Sequence, residues 1–217
     1  PPQIELSNNN LILFDESNLD FFQLNNSSIE VFRPIFNLTN DDKLDRVSII
    51  ENNKGQPCLV IIKNNTMEII NVLDNELVSS DIIQNLTAIE GSGQLFASAY
   101  DTINGPTINV RTPFNPGIEI NILIENFSNE LNDEYLEGLY EIPVDYNNST
   151  IIDIEMEESL IVVLVDVGPL NRLIMVDTLT GNQEMISNPL WPSESPSIEG
   201  NYIAFLQRPI TSPTPNL

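Results

Sequence analysis

Arg172-Leu173-Ile174-Met175-Val176-Asp177 reads as an apolar strand, and Thr178-Leu179-Thr180-Gly181-Asn182 behind it as a turn. Gln183-Glu184-Met185-Ile186 returns as a short edge strand. Ser195-Pro196-Ser197-Ile198-Glu199-Gly200-Asn201 then leads into the apolar run Tyr202-Ile203-Ala204-Phe205. Short apolar runs bounded by Asn, Gly and Pro are what strands covered on both faces look like.

Five segments of the chain repeat this grammar: a strand ending in Ile-Glu, a polar turn, then a denser apolar strand. They begin at Ile4, Ile50, Ile89, Ile154 and Ile198, with steps of 46, 39, 65 and 44 residues. Three of the four steps match the ~40–50 residues of a four-stranded propeller blade. Ile-Glu recurs at Ile29, Ile118 and Ile124, so the turn and strand that follow carry the signal rather than the dipeptide.

The repeats are placed near 3–36, 45–82, 86–124, 151–187 and 195–208, giving a β-propeller over 1–208 with an incomplete last blade. Asn8-Asn9-Asn10, Asn64-Asn65, Gly91-Ser92-Gly93 and Gly105-Pro106 supply the turns. Arg33-Pro34 ends the first unit, because proline cannot donate to a ladder. Phe96, Ser98 and Tyr100 alternate with Leu95, Ala97 and Ala99, a small-residue face that suits close packing near the propeller axis. The long step holds an insertion at 126–148, in which Glu130, Asp133, Glu134 and Glu137 fall on one stripe of a short helix. Pro209, Pro213 and Pro215 make 209–217 a tail or linker.

The order of strand, Asp, Thr-Gly turn, strand, Ser-Pro, Gly-Asn turn and strand from Asn171 to Gln207 resembles the repeat of TolB-type β-propellers. Leu86 to Arg111 resembles it more loosely. The chain departs from the family at Ile198-Glu199-Gly200, where Trp-Ser-Pro-Asp-Gly is frequent. Its version is similar to that of surface-exposed archaeal and bacterial repeat proteins. The resemblance implies an all-β propeller that serves as a binding platform; some relatives cap peptidase active sites, but this chain brings no peptidase domain.

Composition narrows the function. Eight basic and 32 acidic residues, with no histidine, give a net charge of −24. Nucleic acid is disfavoured, since a phosphate-binding face needs clustered Lys and Arg. Anionic membrane surfaces are disfavoured for the same reason. No segment reaches the ~20 apolar residues of a membrane span. Without histidine, hydrolase triads lose their usual base, and His- or paired-Cys zinc sites are excluded. Cys58 is the only cysteine and, inside Cys58-Leu59-Val60-Ile61-Ile62, reads as a small buried hydrophobe. The opening Pro1-Pro2 is expected to be the start of a processed or trimmed product.

Three sets of residues carry what chemistry remains. Asn25, Asn26, Asn37, Asn64, Asn85, Asn126, Asn147 and Asn148 fit the N-glycosylation acceptor pattern, most of them in turns. The acidic stripe at Glu130, Asp133, Glu134 and Glu137 is either a solvated face or a Ca²⁺ site, although strict calcium-loop spacing is absent. Trp191, between Pro189 and Pro192, is either a plug between blades or a ligand anchor. Asp15, Glu16, Asp101, Asp166 and Asp177 each follow an apolar strand. Gathered at one propeller end they would allow a glycosidase pair about 5–10 Å apart, whereas separately they would cap turns.

The expectation is a non-catalytic, exported or cell-surface propeller, extracellular in location and without an obligatory cofactor. It would act as an interaction or assembly module with a protein or glycan partner, or through self-assembly. The competing expectation is a carbohydrate-active enzyme using strand-end carboxylates.

Overall fold

The computed structural model describes residues 3–7, 10–15, 18–25, 28–32, 44–115, 117–125, 149–167, 171–187 and 191–208. The insertion and its acidic stripe, and the tail from 209, lie outside these residues. Blade 1 consists of β1 (Gln3–Ser7), β2 (Asn10–Phe14), β3 (Leu19–Asn25) and β4 (Ser28–Phe32). Blade 2 is β5 (Leu44–Glu51), β6 (Pro57–Lys63), β7 (Thr66–Asn71) and β8 (Glu76–Ile82). Blade 3 is β9 (Leu86–Ser92), β10 (Leu95–Thr102), β11 (Gly105–Arg111) and β12 (Glu119–Leu123). Blade 4 is β13 (Thr150–Glu157), β14 (Leu160–Asp166), β15 (Asn171–Asp177) and β16 (Gln183–Met185), and β17 (Ser193–Glu199) with β18 (Tyr202–Gln207) forms the fifth sheet.

Every sheet is an antiparallel meander in chain order, and the first strand of each touches the first strand of the next. That is a β-propeller, with β1, β5, β9, β13 and β17 around the axis.

Alternation explains why sheets of this kind stack. A strand presents successive side chains to opposite faces, so a central strand apolar at every position can serve two neighbours. Leu59 and Ile61 of β6 pack on Ile12 and Phe21 of blade 1. Cys58, Val60 and Ile62 of the same strand pack on Ile89 and Phe96 of blade 3. Between blades 3 and 4, Ala97, Ala99 and Ile108 meet Ile154, Met156 and Ile161. Val162, Leu164 and Leu173 then receive Ile198, Ile203 and Phe205 of the fifth sheet.

The hairpins are set by residues that tolerate positive φ. Asn64 (φ 47°) and Asn65 (φ 62°) join β6 to β7 with the left-handed pair that matches strand twist. A bulge interrupts each later inner strand, leaving Asp45, Thr87 and Ile152 as extra residues and a wider irregularity between Glu194 and Ser197. Bulges bend and twist the strand that carries them.

Two expectations are corrected. Ala97 and Ala99 belong to a second strand and fill the blade 3–blade 4 interface, not the axis. The close approach near the axis is made by Gly91, where a Cβ would stand 2.2 Å from the carbonyl oxygen of Ile49. The Ile-Glu pairs are also not equivalent. Ile89, Ile154 and Ile198 face the preceding blade, whereas Ile50 faces the following one. The five-residue link Asn52–Gln56 replaces the two-residue turns Gly93-Gln94, Glu158-Ser159 and Gly200-Asn201, and a one-residue shift exchanges the faces of a strand.

Candidate functional site

The strand-end carboxylates divide between the two ends of the propeller. Asp15, Asp101 and Asp166 close the second strands of blades 1, 3 and 4, while Asp177 closes a third strand and lies at the opposite end. Asp177 caps its own turn: it accepts the amides of Leu179 (2.9 Å) and Thr180 (3.4 Å) and the Thr180 hydroxyl (2.9 Å). Those bonds, led by Leu179, hold its carboxyl below the usual carboxylate range. Asp15 accepts the Asn18 amide at 2.8 Å and its side-chain nitrogen at 3.0 Å. Asp101 accepts the Thr150 hydroxyl with Oδ2. Turn capping therefore accounts for Asp15 and Asp177, and Asp101 ties blade 3 to the start of blade 4. Glu16 lies outside the described residues.

Four glutamates meet around the inner hairpins. A cavity of about 550 Å³ is bordered by Glu90, Glu155, Glu157 and Glu199 together with the Gly91–Gly93 backbone. Nearer the axis, a cavity of about 140 Å³ brings Arg46 of blade 2 together with Glu90 and with Asp153 and Glu155 of blade 4. Burial raises the Asp153 carboxyl, while the Ile154 amide and then the Arg46 guanidinium pull it back down. Among the described residues, no group of three or more His, Cys, Asp or Glu side chains is arranged to hold a metal ion. Glu130, Asp133, Glu134 and Glu137 are outside them.

Of the glycosylation candidates, Asn64 and Asn85 are exposed on turns, both with positive φ. Asn25 ends β3, and Asn26, Asn37, Asn126, Asn147 and Asn148 lie outside the described residues. Trp191 is 38 % exposed, more than a buried plug between blades would be, and its carbonyl accepts the Gln207 side-chain amide at 3.4 Å. Cys58 is buried, and burial followed by the nearby Asp74 charge pushes its thiol up to about 11. Such a thiol is inert at neutral pH.

Two inter-blade clasps escaped the sequence. Arg111 of blade 3 stacks 5.1 Å over the Phe96 ring and reaches Asp81 of blade 2 at 3.4 Å. It is one of eight basic residues in the chain, the only hint a sequence offers. Gln183 of blade 4 donates to the Leu123 carbonyl (2.8 Å) and accepts the Glu125 amide (3.0 Å), copying a strand pairing with its side chain.

Among the described residues no helix is long and apolar enough to cross a membrane. No protein-family model matches the chain, and no curated protein matches it in sequence. Solved structures do. Hydrazine synthase of Kuenenia stuttgartiensis superposes with a TM-score of 0.55 at 11 % identity, covering 94 % of this chain and 54 % of that one. The β-propeller domain of Myceliophteria thermophila Cps50 (Swd1) gives 0.53 at 11 %, covering 95 % and 64 %. TolB of Acinetobacter baumannii gives 0.52 at 14 %, covering 93 % and 47 %. The chain thus spans about half to two thirds of the length of these structures, and at such identities the likeness shows one thing: the fold is a β-propeller.

Proposed function

We propose that this chain is a TolB-type repeat propeller, exported or displayed at the cell surface, that works as a non-catalytic interaction and assembly module. The observation that carries this reading is where its unburied apolar side chains lie. Ile82, Ile103 and Leu179 are 81 % to 103 % exposed, on turns and a blade edge. Large apolar side chains left in water at edges and faces are how binding surfaces are built. Asn64 and Asn85, held out on left-handed turns, would carry glycans without disturbing a strand ladder. TolB and a further β-propeller domain among the solved structures add to the case for a platform fold.

The strand-end carboxylates bear on the competing reading, a carbohydrate-active enzyme. Two of them are engaged in capping turns, and Asp177 stands at the opposite end from the other three. A panel of aryl glycosides and polysaccharides, assayed with the native protein and with Asp101→Asn, separates the two. The module reading expects no turnover in either sample above a heat-denatured control. Turnover that falls at least a hundredfold in a folded Asp101→Asn would overturn it.

A further inference from the structure

Blade 2 has a neighbouring blade on each side, and its outermost strand is β8. The corresponding edges of blades 3 and 4 are blunted. Gln183 occupies the Leu123 carbonyl and the Glu125 amide where β12 ends, and β16 is only three residues long. β8 runs for seven residues without the Lys or Pro that commonly guards an edge. Its Ile82 is 84 % exposed, and Leu77 and Val78 are exposed as well.

The ladder sets which backbone groups of β8 are free to pair. Ile83 donates its amide inward to the Asn65 carbonyl at 2.8 Å. Backbone groups of an antiparallel pair alternate in direction, so those of Ser80 and Ile82 point outward. Among the described residues none bonds to them. A bulge at Val78 leaves Ser79 to Ile82 in regular register with β7.

Side chains alternate as well. Ser79 and Asp81 face blade 3, where with Ile69, Phe96, Ile118 and Glu119 they border a cavity of about 200 Å³. The Arg111 guanidinium in that cavity is already engaged, by Asp81 at 3.4 Å and by the Phe96 ring. The seam therefore holds two carboxylates against one guanidinium, and stays net negative.

We infer that the edge of β8 accepts an extended, basic segment of a partner protein as a fifth strand of blade 2. Ser80 and Ile82 exchange main-chain hydrogen bonds with it. Its lysine or arginine side chains on one face reach Asp81 and Glu119 at the seam, and its apolar side chains on the other cover Ile82. Main-chain bonds supply affinity in such strand addition, and the side-chain seats supply selectivity. Charge selects the occupant, because a chain of −24 repels a second copy and attracts a cationic segment. The inference deepens the interaction role proposed above, on which it rests.

The probe is a short synthetic peptide alternating valine and lysine, titrated onto the whole chain at low salt, where attraction is least screened. The expected result is slower hydrogen exchange at the Ser80 and Ile82 amides, followed by NMR. The peptide should also bind at least about tenfold more tightly than its fully N-methylated twin, which keeps the charge and loses every amide donor. A valine–glutamate peptide should not bind. Ser80→Pro removes an outward amide that the blade itself does not use, so it should keep the thermal midpoint and lose about tenfold in affinity. Leu179→Ser, on a blade 4 turn, should change neither. The exchange and N-methyl comparisons need no variant to fold. Equal affinity for the twin, unchanged exchange at Ser80 and Ile82, or no binding would each overturn the inference. So would a peptide-free dimer that Ser80→Pro dissociates, since the edge then takes a second copy. Each of these outcomes leaves the broader module reading standing, because that reading falls to the turnover assay.

Discussion

Asp153 enters blade 4 just after the extra residue Ile152, and its backbone position turns the carboxyl toward Arg46 across the axis. Burial raises its folded-state pKa, so ionisation opposes folding. Its favourable contribution is complete below the ordinary carboxylate value and is lost as pH rises through the folded value. Asp177 has the opposite sign. Its three turn bonds lower the folded value, so its contribution is present above the ordinary value and lost as pH falls. Thermal midpoints at pH 3 and pH 7 for wild type, Asp153→Asn and Asp177→Asn check both signs. Relative to wild type, the rise in midpoint from pH 3 to pH 7 should be larger in Asp153→Asn and smaller in Asp177→Asn. The repulsion among the carboxylates that give the chain −24 at pH 7 is nearly common to all three and largely cancels in the comparison.

At the scale of elements, the legible and illegible parts of the sequence separate by range. Turns declared themselves, since Asn64-Asn65, Gly93 and Gly200 sit where positive φ is needed and apolar runs flank them. The strands were legible from runs such as Leu160 to Val165, which are buried on both faces from Ile161 onward. What a strand faces was less legible, because it depends on turn length and bulges. Ile50 points to the following blade through the longer Asn52–Gln56 link, a shift that the Ile-Glu dipeptide conceals. Arg111, Gln183 and Gly91 are invisible locally because their partners lie in other blades. Gly91 makes the sharpest case. The Gly91-Ser92-Gly93 turn reads as structural, yet the requirement at Gly91 comes from Ile49, 42 residues upstream, while Gly93 answers the turn itself at φ 55°. Gly91→Ala forces a Cβ against backbone that cannot swing aside, and is expected to destabilise by about 3 kcal/mol, the upper range of overpacking. Urea unfolding measures it; a loss under about 0.5 kcal/mol, the size of an ordinary surface substitution, would mean that the inner strands do not approach as described.

For the molecule as a whole, the propeller was legible because it is built by repetition, and a repeat can be seen in a single sequence. The candidate site was legible only in part. Exposed Asn64 and Asn85 and a half-exposed Trp191 lie where a glycan or ligand can reach them, while the strand-end carboxylates, which could have gathered at one end or capped separate turns, are divided between two ends. The faces of a propeller are fixed by three-dimensional stacking that no motif records. Excess negative charge keeps such a surface soluble while apolar side chains stay exposed.

If the chain is exported and displayed as proposed, the intact mass of protein isolated from its natural source, before and after deglycosylation, is the measurement that decides it. The expected mass exceeds that of the bare polypeptide and falls on deglycosylation, with Asn64 and Asn85 among the occupied positions. A mass equal to the bare polypeptide in both samples would contradict it.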